Sequence, residues 1–245
     1  MKRSVLAKTL TCAAIFTLVG LTGCGGDEPR PSETASNASE WQRPPSITEA
    51  RWSDGRVVLL GEAEPYSRVV FAEAGGSVHA GNADQDGRFD ISLNVPPSGL
   101  WLKPRSQIGQ TFVDGLGEVY LLASPGPLAI TLINGEASRR VGTSGPLDAV
   151  DSDGAVLIFS GRSKSSANVR VDIGAETYST RSDANGRWSL VTNGAGPVSI
   201  GIEGKHYEFP GIGGESGARP VNGGWLITRD LGGNAVQTTW IPVDM

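Results

Sequence analysis

The sequence holds few side chains suited to covalent chemistry, and the thiol of Cys24 stands out because of what precedes it. Residues 1–23 contain three basic residues and no acidic ones, and an apolar stretch from Leu10 to Leu21 is followed by Thr22-Gly23. A basic start, a short apolar segment and small residues before a cut site are typical of a secretory signal. The segment is too short and wrongly flanked for a transmembrane helix. Residues 1–23 are therefore predicted to be a signal peptide.

The residues Leu21-Thr22-Gly23-Cys24 resemble the lipobox of bacterial lipoproteins. The resemblance covers the start of the chain and implies that Cys24 is diacylated on sulfur, that the signal is cut before it, and that the new amino group is acylated. An ordinary secretory signal with an unmodified cysteine is the alternative. Gly25 stands where enteric bacteria place an Asp to retain lipoproteins in the inner membrane. The resemblance thus implies a lipoprotein of a Gram-negative outer membrane, facing the periplasm or the cell surface.

Other candidates for catalysis or metal binding are sparse. Cys12 lies in the predicted signal and Cys24 would carry lipid, so we expect no intramolecular disulfide and no Cys/His zinc site. Neither His79 nor His206 has a nucleophile or a paired acid in a recognisable motif around it. No nucleophile elbow, metalloprotease, P-loop or dinucleotide motif occurs. We predict a protein without enzymatic activity, cofactor or metal; an enzyme built from scattered Asp, Glu and Ser is the alternative.

The net charge of the mature chain is negative. Removing the three basic residues of 1–23 from a total of 21 leaves 18 against 26 acidic residues, a net charge of −8. Nucleic-acid phosphates select for clustered Lys and Arg, so a nucleic-acid partner is not expected. An acidic chain also gains nothing from anionic lipid, and membrane attachment would come from the acyl chains on Cys24, of which two or more make a lasting anchor.

An internal repeat follows a segment rich in Pro, Ser and Glu. This segment, residues 25–49, has almost nothing apolar to bury and is predicted to be a disordered tether. Beyond it, Asp84-Gln85-Asp86-Gly87-Arg88-Phe89 matches Asp183-Ala184-Asn185-Gly186-Arg187-Trp188 at an offset near 100 residues, the size of a whole domain. We predict two tandem domains, at 50–133 and 149–245, joined by a linker at 134–148; the lipidated N-terminus and tether occupy 24–49.

Both copies carry the pattern of half-buried strands. Phe89, Ile91, Leu93 and Val95 alternate with polar residues, and no window beyond the signal has a helical stripe. About seven short strands over some 90 residues are typical of a two-sheet sandwich. The predicted core includes the following inward residues: Val69, Phe71, Phe89, Ile91, Val171, Trp188, Leu190 and Ile200. The repeats also resemble bacterial Ig-like and carboxypeptidase-regulatory-like domains, which implies an all-β fold of two Ig-like or transthyretin-like sandwiches, with the strand order left open.

The matching Asp-x-[Asp/Asn]-Gly segments have two readings. Asp-x-Asp-Gly begins an EF-hand loop, but here Gly is at the fourth position rather than the sixth, and the second copy has Asn185 in place of a carboxylate. In a hairpin, by contrast, the Asp caps the turn, the Gly takes a positive φ, and the aromatic residue starts the next strand. We favour the turn over a calcium site.

Two tryptophans are the candidate binding residues. Exposed aromatic rings stack on sugars, so the six tryptophans raise the question of a carbohydrate ligand. Trp52 lies beside Arg51 at the entry to the first repeat, and Trp101 is opposite in phase to its two leucine neighbours, so that one of these two faces should be exposed. We predict that Trp52 and Trp101 contact another domain or a protein partner, in preference to a carbohydrate.

These features favour a lipid-anchored, non-enzymatic module that scaffolds or assists an envelope assembly or an exported protein, with exposed strand edges as docking sites. A surface adhesin or glycan binder is the alternative, and a hydrolase ranks third.

Overall fold

The computed structural model describes residues 42–123, 128–142 and 145–243. Every regular element in these ranges is a β-strand and every strand pairing is antiparallel, which confirms the predicted all-β class. No element in them is a helix that could cross a bilayer. Cys24, the signal peptide and most of the predicted tether lie outside the described residues.

Repeat 1 consists of strands β1 to β9, and the short β10 follows it. The strand bounds are β1 (Ser46–Ser53), β2 (Arg56–Glu62), β3 (Arg68–Glu73), β4 (Val78–Asn82), β5 (Arg88–Leu93), β6 (Leu100–Ile108), β7 (Thr111–Asp114), β8 (Glu118–Leu122), β9 (Leu128–Leu132) and β10 (Arg139–Arg140).

The strands of repeat 1 form two sheets that enclose one core. One sheet has the order β1-β2-β5; the other has the order β10-β9-β8-β6-β3-β4, with β7 also paired to β6. The alternation of β5 buries Phe89, Ile91 and Leu93, as predicted. Phe89 meets Phe71 of the facing sheet at a ring-centroid distance of 5.9 Å, which brings the two layers together.

Repeat 2 consists of strands β11 to β20. The strand bounds are β11 (Ala149–Ser152), β12 (Val156–Arg162), β13 (Asn168–Ile173), β14 (Glu176–Arg181), β15 (Arg187–Asn193), β16 (Val198–Ile202), β17 (Lys205–Phe209), β18 (Gly217–Val221), β19 (Gly224–Gly232) and β20 (Ala235–Pro242).

Repeat 2 is also a sandwich with its own core. Its sheets have the orders β15-β12-β11-β20-β19-β18 and β14-β13-β16-β17. The core includes Phe159, Trp188 and Trp240 from the first sheet and Val171 and Ile200 from the second. Of the predicted core residues, Leu190 is partly buried and the others are buried.

The matching Asp-Gly segments form the same turn in both repeats. Asp84 Oδ1 accepts the backbone N–H of Asp86 at 2.9 Å and of Arg88 at 2.8 Å. Asp183 Oδ1 accepts the corresponding N–H groups of Asn185 and Arg187 at 2.8 Å each. The two glycines have φ of 79° and 77°, in the left-handed region that glycine tolerates. Each segment is therefore a turn whose first carboxylate caps backbone amides. The predicted hairpin is wrong, because the turn connects strands of different sheets, β4 to β5 in repeat 1 and β14 to β15 in repeat 2.

The folded part extends beyond two of the boundaries expected from the sequence. β1 begins at Ser46, inside the range 24–49, because Ile47 and Ala50 pack against the core of repeat 1. Within 134–148, β10 pairs with β9, and Leu147 is buried in the core of repeat 2. Both segments gain burial or strand pairing, which a free tether or linker lacks.

The two repeats differ in the sheet that their last hairpin joins. In repeat 1 the β8–β9 hairpin pairs with β6. In repeat 2 the equivalent β19–β20 hairpin pairs with β11, the strand that corresponds to β1. As a consequence β11 has a strand on each side, whereas β1 pairs with β2 alone among the described strands.

Candidate interaction surfaces

A third apolar cluster joins the two repeats. Repeat 1 contributes Tyr120, Ile130 and Leu132 from the β8–β9 hairpin, and repeat 2 contributes Ile227 and Ile241 from the β19–β20 hairpin. All five side chains are at most 1% exposed. We call this cluster the apolar interface. Because each hairpin is covered by its own sandwich on one face and by the other repeat on the opposite face, the two repeats pack as one unit.

Trp101 lies at the border of the apolar interface. The side chain is half-buried on β6, and its ring centroid is 4.7 Å from that of Tyr120. The hydroxyl of Tyr120 donates a hydrogen bond to the carbonyl of Ser98 at 2.5 Å, and burial raises the pKa of Tyr120 to about 12. Trp101 thus packs against the edge of the apolar interface, and the face opposite its two buried leucine neighbours is partly buried there.

A chain of buried polar groups borders the same interface. Asp151 on β11 is 1% exposed, and its carboxylate accepts the backbone N–H of Ser138 at 2.7 Å and the hydroxyl of Ser138 at 2.6 Å. It also accepts the side-chain amide of Gln237 at 3.0 Å and the hydroxyl of Thr239 at 2.5 Å. Burial raises the pKa of Asp151, and these hydrogen bonds oppose the rise. The carboxylate thereby holds the segment before β10 onto β11 and β20.

Arg229 extends this chain to repeat 1. Its guanidinium donates to the Oε1 of Gln237 at 2.6 and 3.0 Å, and its Nη1 lies 3.4 Å from the carboxylate of Glu118 on β8. Lys103 also approaches Glu118, at 3.2 Å. Burial lowers the pKa of Arg229, and Glu118 opposes the change. Polar groups therefore link the repeats at the edge of the apolar contact.

A groove with both apolar and charged walls opens where β6 and β7 of repeat 1 approach the tip of the β19–β20 hairpin. The charged side chains that line it are Lys103, Arg105, Asp114, Glu118, Arg229 and Asp230. Its volume is about 800 Å³. Four large apolar side chains that line it are exposed: Val78 56%, Phe112 52%, Leu116 58% and Leu231 38%. We call this surface the apolar groove. Exposed apolar side chains are ordinary when scattered, but a group of them in one concave surface is typical of a protein-binding site.

Trp52 lies on a different sheet from Trp101. It is 47% exposed and pairs with Val57 across β1 and β2, at the open edge of the smaller sheet of repeat 1. The structure does not bring Trp52 and Trp101 into one site. Trp52 keeps an accessible ring face, whereas the ring of Trp101 is engaged with Tyr120.

A second groove, mainly on repeat 2, is polar. Its volume is about 900 Å³. Its lining includes three arginines, three acids and several groups that can form hydrogen bonds: Arg139, Arg181, Arg187, Glu136, Asp148, Asp183, Ser138, Thr180, Ser182, Asn185, Ser189 and Trp188. We call it the polar groove.

The electrostatics of the polar groove centre on Arg187. Burial lowers the pKa of Arg187, and the nearby cations of Arg162 and Arg139 lower it further, while Asp148 opposes them. Trp188 is buried, and its indole N–H has no hydrogen-bond partner among the residues that the structure describes. The indole N–H is itself buried, so the groups that could meet a ligand with negative oxygen atoms are the guanidinium groups of the groove.

One histidine is paired with an acid in the described ranges, and no metal-binding group forms there. His79 Nε2 lies 2.6 Å from the Oε1 of Glu73. Across residues 42–123, 128–142 and 145–243, no group of three His, Cys, Asp or Glu side chains could hold a metal ion.

Sequence reasoning did not identify either groove. The side chains of the apolar groove come from β4, β7 and the segments after β7 and in the β19–β20 hairpin, which are far apart in the chain. No local pattern indicates their meeting, because the segments that carry them are separated along the chain.

No protein-family model and no curated protein matches this chain.

Proposed function

We propose that the protein is a membrane-anchored, non-enzymatic envelope lipoprotein that binds a protein partner, a component of an envelope assembly or an exported protein. The observation that carries this proposal is the apolar groove. Four exposed apolar side chains converge there from both repeats. Covering each such side chain would contribute about 1.5–3 kcal/mol at most, so the groove can supply the core of a protein contact.

The rigid link between the repeats supports this function. The groove has walls from repeat 1 and from the β19–β20 hairpin, and the apolar interface holds these two parts together. A preformed surface loses little conformational entropy when a partner binds. The lipid on Cys24 would hold the protein at the outer membrane, and this raises the effective concentration of a weak binding surface.

The anchor is tested by changing Cys24 to Ser. The unsubstituted protein is expected in the membrane fraction with the mass of an acylated chain, and Cys24→Ser is expected in the aqueous fraction. Recovery of the unsubstituted protein in the aqueous fraction at its unmodified mass would refute lipid anchoring and the proposed location.

The groove is tested by photo-crosslinking in cells. A photoreactive residue at Phe112 or Leu231, both in the groove, is expected to capture the same protein. The matched control is Ile212, which is 50% exposed and lines neither groove. The captured protein is then purified, and Leu116→Asp is expected to weaken its binding at least tenfold, since a charge would be buried in an apolar contact. Equal capture from Ile212, or unchanged binding by Leu116→Asp, would contradict the proposal.

Glycan binding is the second candidate, and the polar groove favours it. A polysaccharide with acidic groups would find guanidinium donors from Arg139, Arg181 and Arg187. The test is co-sedimentation with isolated peptidoglycan or acidic polysaccharide. Arg187→Gln should reduce binding severalfold, while Trp101→Ala should change it little because that ring packs inside the protein.

A further inference from the structure

The edge of β1 lies where the other repeat has an additional strand. In repeat 2, β11 pairs with β12 on one side and with β20 on the other. In repeat 1, β1 pairs with β2, and none of the described strands pairs with its other side. The fold itself therefore shows that an antiparallel strand fits beside this position of the sandwich.

The strand ladders identify which residues of β1 are open. Ala50 is opposite Leu59 just as Val150 is opposite Phe159, and both partners are fully buried core residues. In repeat 2 the next strand places Trp240 beside Val150. The equivalent place beside Ala50 has no strand among the described residues, and a strand there would extend the sheet β1-β2-β5.

Two unpaired charges flank Ala50. Glu49 and Arg51 are exposed, and no ion pair joins either of them to another residue in the described part of the chain. Since side chains alternate along a strand, both project from the face of the sheet opposite the core that Ala50 contacts. The two side chains have opposite charges and lie two residues apart. Each can therefore face the other when β1 strands from two copies of the protein pair in the antiparallel direction.

Only one register around this point matches charges when β1 pairs with a second β1. In an antiparallel pair about a two-fold axis, a register centred on Glu49 sets two carboxylates opposite each other, and one centred on Arg51 sets two guanidinium groups opposite each other. A register centred on Ala50 sets Glu49 of each copy opposite Arg51 of the other. Opposite charges in facing positions stabilise a strand pair, and like charges destabilise it.

We propose that two copies of the protein associate through β1, in an antiparallel pair about a two-fold axis at Ala50. The two smaller sheets of repeat 1 then form one continuous sheet across the dimer. The irregularity in β1 between Ile47 and Glu49 limits regular pairing to the second half of the strand.

A contact of this length is small, so the dimer is expected to form at the membrane rather than in dilute solution. Stable interfaces bury about 1,200–2,000 Å², more than one short strand pair provides. Confinement to a bilayer by lipid on Cys24 would raise the local concentration enough to populate it. The open edge of β1 is separate from the apolar groove. An experiment that refutes the dimer would therefore leave the proposed partner binding untouched, and the reverse also holds.

Charge reversal tests the register. The full chain is labelled with donor or acceptor dyes and reconstituted in vesicles of neutral phospholipid, and energy transfer between copies is measured. Glu49→Arg alone and Arg51→Glu alone are each expected to weaken self-association by about thirtyfold or more, because two facing pairs change from attraction to repulsion. A mixture of the two variants is expected to restore energy transfer, since the arginine introduced in one copy then faces the glutamate introduced in the other.

The same mixture controls for folding, because a misfolded variant would not be restored by the other. Cysteine crosslinking gives a second readout. Glu49→Cys mixed with Arg51→Cys is expected to form a disulfide-linked dimer, as facing Cα atoms in such a pair are about 4.5–5.5 Å apart. Either variant by itself should crosslink much less, because equal positions are then displaced along the strands.

Three results would overturn the proposal. The first is a chain that stays monomeric on vesicles at high surface density, which would leave the β1 edge to a strand of a different protein. The second is self-association that survives either charge reversal alone. The third is a mixture that fails to restore energy transfer while both variants keep the circular dichroism spectrum of the folded protein.

Discussion

Replacing Ile227 by Ala tests whether the two repeats fold as one unit. Ile227 lies on β19 of repeat 2, is 0% exposed, and belongs to the apolar interface rather than to the core of its own repeat. The substitution removes three carbon atoms, worth about 2.4 kcal/mol in transfer free energy at roughly 0.8 kcal/mol each. The cavity left behind adds to this cost, and buried Ile-to-Ala changes fall in the range of about 2–5 kcal/mol.

The assay is hydrogen exchange on the purified protein. If the repeats unfold together, the slowest amides of β3 in repeat 1 and of β13 in repeat 2 report the same global unfolding free energy. Ile227→Ala should then accelerate exchange in both strands by the same factor, about 30-fold or more for a loss of at least 2 kcal/mol. Ile130→Ala, on β9 on the other side of the interface, should have the same effect.

The matched control is Ile212→Ala. This isoleucine is 50% exposed, and its replacement should change the unfolding free energy by less than about 0.5 kcal/mol. Acceleration confined to repeat 2 in Ile227→Ala would show that the repeats unfold independently. A loss below about 1 kcal/mol would show that the interface is not packed as the structure has it. Either result would refute the reasoning.

Further predictions concern backbone packing, a buried carboxylate and a turn. A Cβ on Gly61 would overlap the carbonyl oxygen of Ser46 and the ring of Phe89, so Gly61→Ala should destabilise the protein by about 3 kcal/mol in urea unfolding. Gly75→Ala, where a Cβ meets nothing within 4 Å, is the control and should be nearly neutral. Burial raises the pKa of Asp151 above its ordinary value of 3.8. The folded state therefore binds more protons than the unfolded state. The contribution of protonated Asp151 to the free energy of unfolding is complete below about pH 4, and it is lost as the pH rises through the raised pKa. Unfolding free energies measured from pH 3 upward should show this decline, and Asp151→Asn, which does not titrate, should lack it; parallel pH profiles for the two proteins would contradict the assignment. Asp84→Ala removes the acceptor of two backbone N–H groups in its turn and should cost about 1 kcal/mol, measured by thermal unfolding. An unchanged melting temperature would show that the turn does not need this cap.

Much of the fold could be predicted from local patterns. The alternation from Phe89 to Leu93 predicted a strand with one buried face, and the structure has that strand as β5. The repeated Asp-x-[Asp/Asn]-Gly predicted a capped turn, and both carboxylates cap one. These features depend on residues only a few positions apart, so the sequence alone contains the information that determines them.

The candidate surfaces could be predicted less well. Alternation along β6 implied that Trp101 and its leucine neighbours face opposite ways, but the second face is partly covered by the apolar interface. The runs Val119–Leu122 and Leu226–Thr228 are buried on both faces, so they have no alternation to show which side meets which neighbour. The sequence pattern shows which residues are buried, but it does not show which neighbouring element covers them.

The sequence by itself determined the strand class, the two copies and the repeated turn, because each follows from residue types at short spacing. Only the tertiary structure decided that β8–β9 joins β6 while β19–β20 joins β11. Both hairpins have consecutive buried residues, so their sequences carry no alternation that assigns them to one sheet. That choice leaves the edge of β1 open, and it brings Phe112 of one repeat near Leu231 of the other.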